Sequence, residues 1–370
     1  MKIPFNDLSR IHDPIRTELD SAWRRIVDAN AYILGIEVEK FEENFAQNHG
    51  QIGKQNVAGL SSGTDALELI LRAKDIGAGD EVITVSNTFF ATASSIFAAG
   101  AKPVFVDVDH ETALMDVKQV PAKITPRTKA IMPVHLYGQQ ADMPALRKIA
   151  DEYKLVLIED ACQAHGARQN GSLPGYLGDA AAFSFFPGKN LGAFGDAGAV
   201  LSKDESLIAR IKSLRNYGQT EKYHHNVLGS NKRMDGLQAA VLNVKLPHLV
   251  DWNESRATAA FYLSERLKEV PGLVLPKTVE GNTHVKHLYV IQVPDRDRLA
   301  DYLKSNGIDT GIHYPVPIHM QPAFSYLRLK EGELPVTEGL SKRILSLPIF
   351  PSMREEELAF LSDRIKSFQK

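Results

Sequence analysis

Between about residue 55 and residue 202, short apolar runs alternate with segments that have helical periodicity. Near-continuous apolar strands separated by helices are typical of a parallel sheet that is covered on both faces. The sequence predicts strands at 81–85, 103–107, 129–134, 155–159, 180–184 and 197–201, and helices at 64–74, 88–99 and 143–153. This part of the chain is therefore predicted to have an α/β fold.

The pattern changes after about residue 204. Helices are predicted at 204–215 and 234–249, followed by a break near Pro247 and a further helix at 252–270. The remainder mixes a short strand at 288–292 with helices at 297–306 and 355–370. A chain of 370 residues is long enough for about two domains. We therefore expect a large domain with an N-terminal arm over residues 1–249 and a smaller α+β domain over residues 250–370.

Composition excludes several classes of partner. The formal net charge of −2 gives no indication of a nucleic acid or a membrane surface, and no apolar run reaches the roughly 18 residues of a membrane span. Cys162 is the only cysteine, which excludes an internal disulfide and fits a reducing compartment. No metal site is expected, because His224 and His225 have no cysteine or carboxylate at ligand spacing. We therefore expect a cytoplasmic protein.

Three reactive side chains are predicted to lie at one edge of the sheet. Asp160 directly follows a strand, Ser184 ends another, and Lys189 lies in the loop that follows Ser184. In open α/β sheets, ligands bind beyond the carboxyl ends of the strands. Pyridoxal phosphate requires an amine for its aldehyde, a carboxylate for its ring nitrogen, and hydroxyls and amides for its phosphate. The apolar neighbours of Lys189 predict partial burial, which lowers the pKa of an amine and makes it nucleophilic.

Each of these features also has a simpler interpretation. A lysine in a loop is most often a solvated surface charge, and Asp160 is suited to capping a helix. Gly63 and Thr64 precede a helical run, where they either present amides and a hydroxyl to an anion or only begin the helix. Phe89 is placed to stack on a planar ring, although phenylalanine more often packs in a core. Gln163 is three residues after the acid, and the separation of 29 residues between the acid and the lysine favours the cofactor.

Five motifs together resemble the DegT/StrS family of nucleotide-sugar aminotransferases. They are Ser-Gly-Thr-Asp-Ala-Leu at 62–67, Asn-Thr-Phe-Phe-Ala-Thr at 87–92, Ile-Glu-Asp-Ala-Cys-Gln-Ala-His-Gly at 158–166, Ser-Phe-Phe-Pro-Gly-Lys-Asn-Leu-Gly at 184–192 and Asn-Lys-Arg-Met-Asp-Gly-Leu-Gln-Ala at 231–239. The resemblance implies the aspartate-aminotransferase type of fold, which is pyridoxal phosphate fold type I. It also implies a mostly parallel, seven-stranded sheet in the large domain, a small C-terminal α+β domain, and a homodimer with shared active sites.

The resemblance implies a role for each matching residue. Lys189 binds the cofactor aldehyde as a Schiff base and later moves a proton, while Asp160 pairs with the ring nitrogen. Gln163 binds the ring hydroxyl, and Phe89 stacks on the ring. The implied phosphate and substrate contacts are Gly63, Thr64 and Ser184 on the phosphate, Asn231 on the phosphate of the neighbouring subunit, and Arg233, His313 and Tyr314 on the nucleotide-sugar.

The implied activity is transfer of the amino group of L-glutamate to a keto nucleotide-sugar. Sugar 3-dehydratases of this family have histidine at the Schiff-base position, so Lys189 favours transamination. The run Tyr-His-His-Asn at 223–226, together with a likeness to members that act on 3-keto sugars, favours amination at C3. The expected substrate is a dTDP-3-keto-6-deoxyhexose or a UDP-linked sugar, used in O-antigen, S-layer or antibiotic glycan assembly. The nucleotide, the sugar stereochemistry and the aminated carbon stay open.

Other functions are compatible with the same fold. One is a different pyridoxal phosphate reaction, such as a sugar dehydratase or a cysteine desulfurase. A desulfurase requires a catalytic cysteine on a mobile loop, and Cys162 lies instead beside the acid that is predicted to face the ring. The alternative from another class is a regulatory protein that retains the fold without catalysis.

Overall fold

The computed structural model describes residues 1–50 and 54–368. Within these residues, the strands are β1 Val57–Leu60, β2 Glu81–Val85, β3 Lys102–Val106, β4 Thr128–Ile131, β5 Val156–Asp160, β6 Arg168–Gln169, β7 Ala180–Ser184, β8 Gly198–Leu201, β9 Gln219–Glu221, β10 His224–His225, β11 Asn282–Thr283, β12 Tyr289–Gln292 and β13 Ile344–Leu347. The α-helices are α1 Ser9–His12, α2 Arg16–Ala29, α3 Ile36–Asn48, α4 Gly63–Ala73, α5 Phe90–Ala98, α6 Met143–Tyr153, α7 Glu205–Leu214, α8 Gly236–Lys245, α9 Leu249–Leu267, α10 Arg296–Ser305, α11 Pro335–Arg343 and α12 Glu355–Phe368.

A seven-stranded sheet lies at the centre, with the strand order β1-β8-β7-β5-β4-β2-β3. The pairs β2–β3, β2–β4, β4–β5 and β5–β7 are parallel. Strand β8 runs antiparallel to both of its neighbours, β7 and β1. The predicted α/β fold with a mostly parallel, seven-stranded sheet is therefore confirmed.

The predicted strands of this sheet are all present, with ends displaced by at most three residues. The predicted helices at 64–74, 88–99 and 143–153 correspond to α4, α5 and α6. Strand β1 and helices α1 to α3 were not predicted. The buried residues of α2, Leu19, Ala22 and Ile26, have the i, i+3, i+7 spacing of an amphipathic helix, so the sequence carried a signal for this helix that was missed.

The C-terminal part of the chain forms its own buried cluster around the β12–β13 pair. This cluster contains residues of α9, α10 and α12, and Ile3 at the start of the chain packs into it. The predicted break near Pro247 is present as a short 3₁₀ turn, Leu246–His248, between α8 and α9. We keep the domain boundary between residues 249 and 250 as a proposal; it falls at the first residues of α9.

The helices of the described residues do not have the character of membrane spans. Within residues 1–50 and 54–368, none combines the length and the apolar character needed to cross a bilayer.

A bidentate ion pair joins the N-terminal arm to the last helix. The Arg10 guanidinium donates to both carboxylate oxygens of Glu357, at 2.8 and 2.6 Å, and the Glu357 side chain is only 1% exposed. Burial alone raises the pKa of Glu357, but the bonds from Arg10 and Arg354 outweigh it and lower the pKa from 4.5 to about 2. A depressed carboxyl pKa stabilises the fold above pH 4.5, and this contribution is lost as the pH falls toward 2.

We therefore expect Glu357→Gln to lower the free energy of unfolding at pH 7 by about 2 kcal/mol. The difference from the natural protein should shrink as the pH falls from about 5 through 2, because the carboxyl of Glu357 then becomes protonated and uncharged, like the glutamine side chain. Urea unfolding at a series of pH values measures this difference in the free energy of unfolding. Glu356→Gln is the matched control, because Glu356 is 59% exposed and exposed ion pairs contribute little. Equal losses in both variants would contradict the argument.

Candidate active site

The carboxylate of Asp160 is held at the carboxyl edge of the sheet. Asp160 is the last residue of β5 and is 5% exposed. Its Oδ2 accepts a hydrogen bond from Thr92 Oγ1 at 2.7 Å, and its Oδ1 accepts from the Cys162 amide at 3.3 Å. The Thr92 hydroxyl in turn lies 2.9 Å from that of Thr88. The bonds fix the carboxylate in one orientation, and among the described residues no cation pairs with it.

Lys189 lies in the loop that follows β7, where its backbone amide donates to the Phe186 carbonyl at 2.8 Å. The loop is anchored by Phe185, which is fully buried and packs edge-on against Phe41 at 5.2 Å. Burial lowers the pKa of the Lys189 ammonium, while Cys162 and Asp160 oppose this shift. The sequence-based prediction that apolar surroundings depress this pKa agrees with the structure. A larger fraction of the amine is therefore neutral than in a solvated lysine.

Gln163 is held between two tyrosines. Its Oε1 accepts from the Tyr137 backbone amide at 2.7 Å, and its Nε2 donates to the Tyr314 hydroxyl at 3.2 Å. The Tyr314 ring lies 5.8 Å from the ring of Phe89, which is 56% exposed. Phe89 directly precedes α5. The structure therefore brings Tyr314 next to Gln163 and Phe89, the two residues predicted to contact the cofactor ring, although Tyr314 is 151 residues from Gln163 in the chain.

The start of α4 forms the third side of this site. Gly63 is the first residue of the helix, and the Ser62 hydroxyl caps it by accepting from the Asp65 amide at 3.1 Å. The first amides of a helix carry partial positive charge and attract anions. A Cβ atom on Gly63 would lie only 2.6 Å from Ser184 Cβ and 2.8 Å from Cys162 Sγ. Gly63 and Ser184 therefore converge, as predicted, and Thr64 follows directly on the helix.

His313 lies on the same side as Tyr314. Its ring stacks on Phe5 at 5.6 Å, and its Nδ1 is 2.8 Å from the Ser346 hydroxyl. Burial, with a smaller contribution from the charge of Lys189, lowers the pKa of His313 to about 4. This imidazole is therefore neutral at pH 7, and it offers hydrogen bonds rather than a positive charge.

Asn231 and Arg233 lie on a separate surface strand beside the end of β1. Asn231 is exposed, and its Oδ1 accepts from Arg233 Nε at 3.1 Å. Arg233 also donates to Asn216 Oδ1 at 3.2 Å and lies over the Tyr217 ring at 5.6 Å. A single chain does not test whether these residues serve a neighbouring subunit, so their roles stay predictions.

Two residues of the site had no predicted role. Thr92 positions the Asp160 carboxylate, and Tyr137 orients Gln163 and donates from its hydroxyl to the His313 carbonyl. Thr92 belongs to the Asn-Thr-Phe-Phe-Ala-Thr motif, which is a signal that could have indicated it. Tyr137 follows the end of β4 by a few residues, and its contacts arise only in the folded chain.

These residues fit pyridoxal phosphate. The space at Gly63, beside Ser184 and Cys162, is called here the cradle; it lies at the N-terminus of α4, and a single Cβ would fill it. The fixed carboxylate of Asp160 and the Lys189 amine, with its lowered pKa, lie at the same sheet edge. Pyridoxal phosphate requires an anion site for its phosphate, a carboxylate for its ring nitrogen and an amine for its aldehyde. The donor set therefore provides a partner for each functional part of the cofactor.

The cradle can be tested by filling it. Gly63→Ala should weaken the affinity for pyridoxal phosphate about tenfold or more, because the new methyl group overlaps Ser184 and Cys162 and overpacking costs about 1–3 kcal/mol. Titration of the apoprotein, followed by visible absorbance, measures this affinity. Gly339→Ala is the matched control, since a Cβ there has no atom within 4 Å. Unchanged affinity in Gly63→Ala would show that the cradle does not hold the phosphate.

The chain as a whole is similar to a known family and to proteins of described activity. A model of the DegT/DnrJ/EryC1/StrS aminotransferase family matches residues 13–366. The chain is 46% identical over 376 residues to a pleiotropic regulatory protein of Geobacillus stearothermophilus, covering all of this chain and 99% of that protein. It is 45% identical over 368 residues to a dTDP-3-amino-3,4,6-trideoxy-alpha-D-glucose transaminase of Streptomyces venezuelae, covering 99% and 96%.

A solved structure is similar over the whole chain. It is that of DesV from S. venezuelae in complex with a ketimine intermediate, with a TM-score of 0.97 and 43% sequence identity. The match covers 100% of this chain and 99% of that one. Sequence and fold therefore agree along the full length of the chain.

Proposed function

The chain belongs to the DegT/DnrJ/EryC1/StrS aminotransferase family, and from this premise we propose that it transfers the amino group of L-glutamate to the keto carbon of a nucleotide-linked sugar. The cofactor is pyridoxal phosphate. One observation carries the assignment to transamination. It is the amine of Lys189, with its lowered pKa, beside a fixed carboxylate and a helix N-terminus. A dehydratase of the family would have histidine in place of this lysine.

We assign the binding roles as follows. Asp160 faces the ring nitrogen, Gln163 the ring hydroxyl and Phe89 the face of the ring. Gly63, Thr64 and Ser184 bind the phosphate, through amides at the start of α4 and two hydroxyls. The bound cofactor supplies an aldehyde for the amino groups and a ring that accepts the electrons released when a C–H bond breaks.

Two side chains of the protein, Lys189 and Asp160, control where the protons are during the reaction. Lys189, once its nitrogen is free, takes the α-proton of the amino donor. In the second half of the reaction, the same nitrogen gives a proton to the sugar carbon that receives the amino group. The lowered pKa of this ammonium favours the neutral nitrogen that the first transfer requires. The buried carboxylate of Asp160 is oriented by Thr92 and the Cys162 amide, and with the cofactor bound its charge would favour a proton on the ring nitrogen.

We propose that the active unit is a homodimer with shared sites, in which Asn231 reaches the phosphate bound by the neighbouring subunit. Two observations support it. Asn231 is exposed, away from the buried interior of its own subunit. Large apolar side chains are also exposed nearby in the chain, and Leu228 and Tyr223 are 96% and 80% exposed. Apolar exposure of this degree is typical of surfaces that a partner covers.

We propose a 3-keto sugar, bound through dTDP or UDP, as the amino acceptor. The printed name of the S. venezuelae relative describes a 3-amino sugar. The run at 223–226 contains β10, the second strand of an exposed hairpin with β9, and His225 Nδ1 lies 2.9 Å from the Tyr217 carbonyl. Arg233, His313 and Tyr314 are the proposed contacts to the nucleotide-sugar. The product would serve glycan or antibiotic assembly, including O-antigen, in the cytoplasm.

The experiment supplies the purified holoprotein with L-glutamate in the absence of a sugar. We expect the visible absorbance of the lysine-bound cofactor to be lost and 2-oxoglutarate to appear in equal amount. A panel of dTDP- and UDP-linked 3-keto and 4-keto sugars is then added, and product masses are read. A product with an amino group in place of the ketone supports the proposal. Loss of water from the sugar indicates a dehydratase, and no change with any donor indicates a regulatory protein.

A further inference from the structure

Residues 231–233 form a short extended segment outside the named strands, called here the 231–233 strand, that is held on both sides by isolated backbone bridges. The Ser61 amide donates to the Lys232 carbonyl at 3.1 Å, and the Lys232 amide donates to the Arg215 carbonyl at 2.9 Å. Antiparallel bridges pair Leu60 with Arg233 and Asn216 with Asn231. The backbone at Lys232 is therefore fixed to the end of β1, which leads directly into the phosphate-binding start of α4.

The side chains of this strand alternate between two directions. Asn231 is exposed and bonds to Arg233, two residues on, as expected for side chains on one face of a strand. Lys232 lies on the opposite face and contacts α4. Its Nζ donates to Glu68 Oε2 at 2.7 Å and to Asp65 Oδ1.

The ion pairs of Lys232 are mostly shielded from solvent. The exposed fractions of the side chains of Lys232, Asp65 and Glu68 are 15%, 21% and 8%. Burial alone would lower the pKa of the Lys232 ammonium, but its bonds to the two carboxylates outweigh this effect and raise the pKa. The cation is therefore retained over the whole physiological pH range, and the pairs are stronger than exposed ones.

Asp65 connects this cation to the phosphate cradle. Its Oδ2 accepts from the hydroxyls of Ser61 and Ser62, and its amide donates to Ser62 Oγ, which caps α4 immediately before Gly63. A displacement of Lys232 therefore acts on the residues that orient the first amides of α4. The reverse also holds, because an anion at these amides orders the helix start to which Lys232 is bound.

We propose that Lys232 is a positioning residue that couples the two active sites of the dimer. It fixes Asn231, which serves the neighbouring site, to the helix that binds the phosphate of its own site. This inference rests on the proposed function, in which Asn231 acts across the subunit interface. Binding free energies are coupled reciprocally, so each bound phosphate favours retention of the other.

The first experiment measures how fast the holoenzyme loses its cofactor. Dialysis into cofactor-free buffer is followed by the visible absorbance of the lysine-bound form. Lys232→Met should release the cofactor about tenfold faster than the natural protein, and Lys232→Arg, which retains the charge, should restore most of the retention. Lys268→Met is the matched control, because it removes an exposed lysine paired with Glu265. Thermal unfolding of each variant establishes that the dimer is folded. Equal loss rates in Lys232→Met and the natural protein would overturn the proposal.

The second experiment separates an effect on the neighbouring site from an effect on the same site. Hybrid dimers are purified with two different affinity tags. In the first hybrid, one chain carries Lys189→Ala and the other carries Lys232→Met. The single site with Lys189 is then served by a neighbour with an intact Lys232 and loses only the contact of Lys232 with its own α4, so we expect its cofactor to be lost more slowly than when the neighbouring strand is altered.

In the second hybrid, one chain carries both Lys189→Ala and Lys232→Met, and its partner is unchanged. The single site with Lys189 is now served by the altered strand, so its cofactor should be lost about tenfold faster. Equal rates in the two hybrids, or faster loss in the first, would overturn the coupling. Lysine-bound absorbance in a Lys189→Ala homodimer is a separate outcome, which contradicts the proposed function itself.

Discussion

Replacing Lys189 with alanine should abolish transamination. The variant loses both the amine that binds the cofactor aldehyde and the base that moves the proton. General base catalysis alone contributes about 10²–10⁴-fold to a rate, and the covalent attachment adds to this loss. We expect no measurable formation of 2-oxoglutarate from glutamate under conditions in which the natural protein completes many turnovers. The residues of the cradle remain in place, so the variant should still bind pyridoxal phosphate reversibly.

A chemical readout accompanies the kinetic one. Borohydride reduction of the natural holoprotein should fix the cofactor on the peptide that contains residue 189, and the variant should yield no such adduct there. Lys304→Ala, in an exposed position of α10, should retain full activity and give the same adduct as the natural protein. An adduct on another lysine, or normal turnover by Lys189→Ala, would remove the basis of the proposed mechanism.

The second large effect is expected for Asp160→Asn. Asparagine preserves the shape of the side chain but removes the negative charge that holds a proton on the ring nitrogen. A hydrogen bond to a charged group contributes about 1.5–3 kcal/mol, and about 1.4 kcal/mol corresponds to tenfold. We therefore expect kcat with glutamate to fall about 10²-fold. The Lys189 adduct should still form, because the amine is unaltered.

Spectroscopy distinguishes this effect from general damage to the site. The absorbance of the bound cofactor in Asp160→Asn should change with pH at a lower value than in the natural protein, because the ring nitrogen loses its proton more readily. Asp301→Asn, at an exposed position of α10, should alter neither the spectrum nor kcat. A fall in kcat of less than about threefold, well below the tenfold that 1.4 kcal/mol represents, would indicate that Asp160 does not face the ring.

Several features of this protein followed from local sequence patterns. The strands at 81–85 and 180–184 were predicted with the ends that β2 and β7 have in the structure. Their apolar residues are buried on both faces of the sheet, which makes a continuous apolar run the reliable signal for such strands. Asp160 and Ser184 were assigned to the ligand-binding edge because polar residues directly after parallel strands lie at that edge.

The direction of β8 did not follow from its sequence. An apolar run of four residues has the same pattern whether the strand is parallel or antiparallel, so β8 was read as another strand of a parallel sheet. In the structure it pairs antiparallel with β7, through a loop that carries Lys189. The connection between these antiparallel neighbours, residues 185–197, needs no crossover to the opposite edge of the sheet, so Lys189 stays at the edge where β7 ends.

Sequence alone determined the class of fold and led to the prediction of the site residues, because alternating strands and helices, and polar residues at strand ends, are local properties of the chain. Tertiary structure decided which distant residues meet: Tyr314 with Gln163, Gly63 with Ser184, and Lys232 with Asp65. These contacts depend on how the chain packs over separations of more than 100 residues. No local periodicity encodes such separations, because a contact of this kind is set by the summed packing of the elements between its partners.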